Sequence, residues 1–218
     1  MKTIQTVMVS LLSIAATTLY AQKTISEGTL VYNIVFQTGE AEPKMADALD
    51  GAVTTLSIKG TQTRTDMVSA LGSETTIHDA KTGTATILKE YSGQKLMYSL
   101  TADNWKSKNK KYDGIVFENT NDTAVIAGYN CIKAIAKLKD GSSFWVYYTK
   151  DLVILNKDYD QTFKNLPGLA LQYEYESGKL KFKYTVDKID LSPVSSAKFD
   201  IPKSGYRLME YSEKGTKN

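Results

Sequence analysis

The chain has 218 residues, with 27 lysines and arginines against 24 aspartates and glutamates, and a formal net charge of +3. This balance is too mild for a nucleic-acid-binding protein, which concentrates basic residues on one face. The single cysteine excludes an intrachain disulfide, and one cysteine with one histidine cannot supply a closed structural zinc site.

The first 21 residues have the pattern of a secretory signal peptide. Lys2 precedes an uncharged stretch with an apolar centre from Val7 to Ala16, and small residues approach Ala21. We therefore predict cleavage after Ala21 and a single β-rich domain over residues 22–218, in the periplasm or outside the cell. An uncleaved membrane anchor is the alternative, although the apolar centre is short for a membrane span.

Most of the remaining sequence alternates between apolar and polar residues, which is typical of antiparallel strands with one buried face. Glycines recur at intervals of roughly ten residues in the first half, and this spacing suits short strands joined by hairpins. Residues 169–176 alternate in the same way, with Tyr173 and Tyr175 predicted to point inward and Glu174 and Glu176 outward. Other residues predicted to share the buried face are Leu30, Tyr32, Ile34, Phe36, Phe144, Tyr148, Leu180, Phe182 and Tyr184.

Helix signals are fewer. Pro43 suits a first helical turn, Met45 and Leu49 lie on one stripe, and Gly51 suits a stop, so we predict a helix there. A second, shorter helix is an option in residues 156–166. The lysine-rich residues 104–114 are expected to form a loop between two groups of strands.

The residues give little support to catalysis. His78, the only histidine, alternates with Ile77 and is expected on the solvent face, and no serine-nucleophile turn motif is present. Glu174 and Glu176 fit either the wet face of a strand or a glycosidase-type carboxylate pair. Cys131 is expected to be a small buried residue rather than a nucleophile. We therefore predict no catalytic residues, no metal and no cofactor. A hydrolase remains an alternative function, after the two non-enzymatic functions given below.

Aromatic residues point instead to a protein that works by contact. The chain has 14 tyrosines and two tryptophans, whose rings combine apolar area with a polar tip. Four lysines between Lys106 and Lys111 lie beside Trp105 and Tyr112. This basic cluster fits either a solvated loop or a contact with anionic lipid headgroups or acidic glycans.

The C-terminal third carries motifs of a known kind. The order is GYNCIKA (128–134), FWVYYTKDL (144–152), LPGLALQYEY (166–175) and FDIPKSGYRLME (199–210). It resembles an uncharacterised family of secreted Gram-negative envelope proteins, related to the group named after a Gly-Leu-Pro-Gly-Leu-Ile signature. Asn165 and Ala170 depart from that signature. The resemblance implies the fold of the LolA and LolB lipoprotein carriers, and it brings no catalytic residues.

We therefore predict a mainly β fold, a curved antiparallel sheet or incomplete barrel wrapped around one or two helices. The predicted function is non-enzymatic binding of a hydrophobic ligand, a lipid or acyl chain, or of a lipoprotein. The inward-facing residues above would line the cavity, with Met45 and Leu49 as a lid. The alternative is a structural module with a packed interior that contacts another envelope protein. Neither alternative involves nucleic acid or stable membrane insertion.

Overall fold

The computed structural model describes residues 22–38, 51–177 and 180–212. The predicted signal peptide, the predicted helix at Pro43 and its lid residues Met45 and Leu49 lie outside the described residues. The side chain of Leu180 lies outside them as well, although its backbone is described.

Fourteen strands are present in the part of the chain that the structure describes. The strands of the first half are β1 (Lys23–Ile25), β2 (Glu27–Thr38), β3 (Val53–Lys59), β4 (Gln62–Ser69), β5 (Gly72–Asp79), β6 (Thr84–Tyr91) and β7 (Gln94–Leu100). Those of the second half are β8 (Val116–Ile126), β9 (Tyr129–Lys137), β10 (Ser143–Thr149), β11 (Leu152–Ile154), β12 (Leu169–Ser177), β13 (Leu180–Asp190) and β14 (Arg207–Met209). The helices are α1 (Ala102–Lys108) and three short 3₁₀ helices, Lys110–Tyr112, Lys157–Tyr159 and Ser196–Phe199.

Twelve of the strands form one sheet in the order β14-β7-β6-β5-β4-β3-β2-β13-β12-β10-β9-β8. All neighbours are antiparallel except β14 and β7, and the sheet curves without closing, so β8 and β14 remain as edges. The pairing of β2 with β13 joins the meander of the first half to the strands of the second. The predicted fold class, a mainly β protein with a curved open sheet, is confirmed.

We call the side of the sheet that carries Leu30, Tyr32 and Ile34 the inner face. Leu30 and Tyr32 are at most 5% exposed because the chain returns over them after β10, and Ile34 is 2% exposed in a separate cluster with Ala52. β11 pairs with β1, and Tyr159, Phe163 and other apolar residues of the following connection pack into the same core. The inner face of β2 is therefore covered by the protein itself rather than open to solvent.

The expectation of a loop at residues 104–114 is wrong, since this region contains most of α1. The Thr101 hydroxyl caps the helix by accepting a hydrogen bond from the Asn104 N–H at 3.2 Å. Asp103 in the first turn and Lys108 in the last complement the helix dipole. In residues 156–166, the helical option amounts to one 3₁₀ turn.

The C-terminal segment covers the outer face of the sheet. Val194 and Phe199 pack on Ile77 of β5. Glu27 accepts a hydrogen bond from the Val194 N–H at 2.6 Å and pairs with Lys59 at 2.7 Å. The two faces of β5 are therefore both covered, by this segment outside and by α1 inside.

The Pro167-Gly168 step begins β12 at a close approach of two strands. A Cβ atom on Gly168 would lie 2.0 Å from the carbonyl oxygen of Thr149, so only glycine fits without movement of the backbone. The register of the β10–β12 pair shifts beside this contact, between Tyr147 and Tyr148. Packing against Thr149 therefore explains the Pro167-Gly168 motif.

Among the described residues, no helix is long and apolar enough to cross a membrane.

Candidate binding site

A cleft of about 180 Å³ lies over the inner face, between β10, β12, β13 and the connection that follows β11. We call it the aromatic cleft, and it is lined by Tyr112, Phe144, Asp160, Thr162, Phe163, Tyr173, Tyr175 and Tyr184. Six of these eight residues are aromatic. An apolar group that enters would therefore contact mainly aromatic rings.

Strand register explains how the rings come together. Tyr173 on β12 lies directly opposite Tyr184 on β13, and their rings stack at 4.6 Å with an interplanar angle of 8°. Phe163 packs edge-on against Tyr173 at 4.8 Å, and Phe144 lies 6.4 Å from Phe163. Each ring limits the movement of the next, so the wall is held in place before any ligand arrives.

Both stacked tyrosines stay protonated at neutral pH. Burial raises the pKa of Tyr173, and it raises the pKa of Tyr184 to about 12. At the rim, the Lys111 ammonium lies 4.7 Å from the Tyr112 ring centre and 4.8 Å from that of Tyr175. Burial acts to lower the pKa of Lys111, but hydrogen bonds to the Tyr175 and Tyr112 hydroxyls raise it overall. The cleft thus has protonated tyrosines in its wall and one cation, Lys111, at its rim.

A second cleft, of about 160 Å³, adjoins the aromatic cleft through Asp160, which lines both. We call it the His78 cleft, and it is lined by Thr63, Thr65, Thr76, His78, Trp105, Asn109, Tyr159, Asp160 and Gln161. Its floor follows from strand register, because Thr63 is directly opposite His78 and Thr65 is opposite Thr76 in the β4–β5 pair. All nine of its side chains carry a hydrogen-bonding group, whereas two of the eight in the first cleft are phenylalanines.

The expectation that His78 lies on the solvent face is wrong. His78 is only 4% exposed, and its ring stacks on Trp105 at 4.8 Å with an interplanar angle of 22°. The alternation placed His78 and Ile77 on opposite faces correctly, but both faces of β5 are covered. Burial lowers the pKa of His78 although Asp158 and Asp79 act to raise it, so the imidazole is neutral at pH 7.

Three polar atoms around the His78 cleft are buried without a hydrogen-bond partner in the described part of the chain. They are Nδ1 of His78, Nε1 of Trp105 and the hydroxyl of Tyr159. Asp160 beside them accepts a hydrogen bond from the Thr162 N–H at 2.8 Å, and burial raises the pKa of its carboxyl group. Most buried polar groups in proteins are paired, so three unpaired atoms around one cleft call for an explanation.

The residues predicted to bind a ligand fall into four groups. Phe144 and Tyr184 line the aromatic cleft. Five others are buried in the packed core, at 9% exposure or less: Leu30, Tyr32, Ile34, Phe36 and Tyr148. Phe182 is half-buried against Phe36, with ring centres 4.8 Å apart. Met45, Leu49 and the side chain of Leu180 lie outside the described residues, and ligand binding by the whole set stays a prediction.

Sequence reasoning missed the residues that complete the aromatic cleft. Alternation did predict that Tyr173 and Tyr175 point inward, which was the available signal for them. Tyr112, Phe163 and Thr162 come from a 3₁₀ helix and from the irregular connection before β12, where no periodic pattern exists. Their position depends on how these segments return over the sheet.

The other chemical candidates are an ion-paired couple of glutamates and a buried cysteine. Lys181 contacts Glu176 at 2.9 Å and Glu174 at 3.9 Å, and neither glutamate lines the aromatic or the His78 cleft. Cys131 is 1% exposed, and burial raises its pKa to about 11. Within residues 22–38, 51–177 and 180–212, no three His, Cys, Asp or Glu side chains are grouped to hold a metal ion.

The fold and its clefts define a mainly β protein whose open, curved sheet carries two adjoining clefts on its inner face. Neither the protein-family models nor the curated proteins compared with this chain give a match. The predicted envelope family therefore stays a prediction.

Several solved structures are similar in fold. PNGF-II is 15% identical with a TM-score of 0.46, over 86% of this chain and 32% of PNGF-II. MucB is 8% identical with a TM-score of 0.40, over 84% of this chain and 60% of MucB. LprF from Mycobacterium bovis is 9% identical with a TM-score of 0.35, over 78% of this chain and 88% of LprF. This chain thus spans about a third of PNGF-II and 60% of MucB. At this level of similarity, the function must be argued from the clefts.

Proposed function

We propose that the protein is a non-enzymatic binding protein for a hydrophobic small molecule, a lipid or an acyl chain, in the periplasm or outside the cell. The observation that carries the proposal is the aromatic cleft, in which six rings line a space of about 180 Å³. Clefts that are mostly apolar with a few polar groups are typical of small-molecule sites. The polar groups here are Asp160, Thr162, the nearby Lys111 and the hydroxyls of the four lining tyrosines.

The proposed site uses only part of the residue set expected from sequence. Residues such as Leu30 and Tyr148 are covered by the connection after β11, so a ligand would have to displace the core to reach them. Phe144 and Tyr184 need no such movement because they already line a cleft. The binding site is therefore at the end of the inner face, beside the packed core.

The size of the cleft limits what it holds. At about 30 Å³ per water, it corresponds to roughly six water molecules, which suits part of an acyl chain or one aromatic ring. Each buried methylene contributes about 0.8 kcal/mol, so six of them contribute about 5 kcal/mol before the cost of association is subtracted. Such a site would bind its ligand reversibly.

The test is a titration with N-phenyl-1-naphthylamine, a neutral apolar probe whose fluorescence rises in apolar surroundings. The unmodified protein should give saturable binding. Thr162→Trp should reduce it at least tenfold, because Thr162 lines the cleft and a larger ring would fill it. The matched control is Lys157→Trp, an exposed residue of the same connection that does not line the cleft.

Two results would count against the proposal. One is absence of saturable binding by the correctly folded protein. The other is equal binding by Thr162→Trp and Lys157→Trp, since the probe would then bind elsewhere. Circular dichroism and urea unfolding of both variants establish that a loss of binding is not a loss of fold.

The second candidate is a structural module that contacts another envelope protein. The observations that favour it are the packed core over β2 and the edge strand β8, on which Val116 and Val125 are 55% and 71% exposed. Exposed apolar residues on an unpaired edge are typical of strand addition by a partner. Failure of the probe titration with the fold intact would favour this candidate.

A further inference from the structure

The His78 cleft contains an unusual concentration of unpaired polar groups. His78 and Tyr159 are 4% and 8% exposed, yet Nδ1 of the first and the hydroxyl of the second have no partner among the described residues. The buried indole N–H of Trp105 likewise has no hydrogen-bond partner among the described residues. A buried tyrosine elsewhere in the core behaves differently, since the Tyr32 hydroxyl donates to the Ala170 carbonyl at 2.9 Å.

The chemistry of these groups selects a kind of ligand. The indole N–H of Trp105 can only donate a hydrogen bond, whereas the hydroxyls of Tyr159 and the threonines can both donate and accept. Two groups accept: the Asp160 carboxylate and one ring nitrogen of the neutral His78. A carboxylate in the wall disfavours an anion. An indole donor and three threonine side chains are poor ligands for a metal cation. A neutral group with several hydroxyls matches the mixture, because each hydroxyl also donates and accepts.

We propose that the His78 cleft binds a neutral polyhydroxylated group, either a free sugar or the sugar headgroup of a lipid. The proposal does not depend on the aromatic cleft, since a free sugar could bind in the His78 cleft alone. Asp160 lines both clefts, so one glycolipid could place its headgroup in the His78 cleft and its chain against the rings.

Binding would require a movement of Trp105. The three unpaired atoms are covered in the structure, partly because the indole stacks on His78. Trp105 belongs to a helix of seven residues, none of which is fully buried, and it packs against the cluster of Ala85, Ile87 and Leu100, so a displacement would exchange these contacts for contacts with the ligand. A ligand that reaches these atoms must therefore change the surroundings of the indole.

The experiment follows Trp105 fluorescence in a Trp145→Phe background, since the chain has two tryptophans and Trp145 lines neither cleft. The probes are methyl glycosides of glucose, galactose, mannose and N-acetylglucosamine, and then octyl glucoside below its micelle concentration. Octyl glucoside and n-octanol are compared by displacement of N-phenyl-1-naphthylamine, because Trp105 does not line the aromatic cleft. Tyr159→Phe and Thr76→Val remove one hydroxyl each from the cleft with little change of shape. Tyr129→Phe is the control, because Tyr129 lines neither cleft.

Two outcomes support the proposal. Either a methyl glycoside saturates the signal, which indicates a free sugar, or octyl glucoside binds at least threefold more tightly than n-octanol, which indicates a headgroup. In both cases Tyr159→Phe and Thr76→Val should each weaken sugar-dependent binding by about three- to tenfold, the range for one hydrogen bond. The Tyr129→Phe control should bind like the parent protein.

The proposal is overturned if no glycoside binds and octyl glucoside binds no more tightly than n-octanol. It is equally overturned if sugar binding survives Tyr159→Phe and Thr76→Val unchanged. Binding of n-octanol itself bears only on the aromatic cleft, so failure of the hydrophobic site and failure of the sugar site give different results.

Discussion

Replacement of two buried tyrosines by phenylalanine should have opposite effects on stability. Tyr32 and Tyr159 belong to the same core and are 5% and 8% exposed, but only Tyr32 has a hydroxyl partner among the described residues. Tyr32→Phe removes a hydrogen bond and leaves the Ala170 carbonyl with one partner fewer, which should lower the free energy of unfolding by about 1 kcal/mol. Tyr159→Phe removes a buried hydroxyl that makes no hydrogen bond in the structure, which should raise the free energy of unfolding by about 1 kcal/mol.

The assay is urea unfolding followed by circular dichroism, with equal m-values required before midpoints are compared. A difference of about 2 kcal/mol between the variants corresponds to about 4–8 °C in Tm for a chain of this size. Equal destabilisation by both variants would refute the reasoning, since it would mean that the Tyr159 hydroxyl is bonded in solution. Gain of stability with loss of sugar binding in Tyr159→Phe would indicate a group retained for binding.

Three further predictions concern single residues. Burial lowers the pKa of His78 below its ordinary 6.5, so the unfolded chain takes up a proton that the folded protein resists. The free energy of unfolding should therefore fall as the pH decreases from about 6.5 through the pKa of the folded protein. His78→Gln should lack this pH dependence, and an unchanged dependence in the variant would contradict the assignment to His78. Cys131, with a pKa raised to about 11, should react with a thiol reagent only after denaturation, and rapid native labelling would show that it is accessible. Gly168→Ala should lower the free energy of unfolding by about 2 kcal/mol or more, because the added Cβ would lie 2.0 Å from the Thr149 oxygen. The control Gly93→Ala has no atom within 4 Å of its added Cβ and only a positive φ to oppose it, so it should lose about 1 kcal/mol. Equal losses in the two variants would exclude the clash.

Period-two alternation predicted much of the sheet because side chains on a strand alternate between faces whatever the tertiary structure. It assigned Tyr173 and Tyr184 to the buried face, and the register then brings them into contact. It also separated His78 from Ile77. Alternation predicts which residues share a face but not what covers that face, and this is why a buried His78 was expected to be exposed.

The residues that cover the inner face could not be predicted in the same way. Trp105 reaches His78 because Thr101 caps a short helix in a stretch whose lysines favoured a loop interpretation. Phe163 and Asp160 lie in an irregular connection, where position depends on tertiary packing rather than on local propensity. The candidate site was therefore predicted only for the residues that its strands contribute.

The most direct test of a ligand site at the aromatic cleft is a crystal structure of the protein soaked with 8-bromo-1-octanol, whose bromine can be located by anomalous scattering. We predict an anomalous peak within about 4 Å of the Phe163 or Tyr173 ring, at van der Waals contact distance. A bromine site at another place on the protein, or an empty aromatic cleft in a crystal that leaves it open to solvent, would contradict the account.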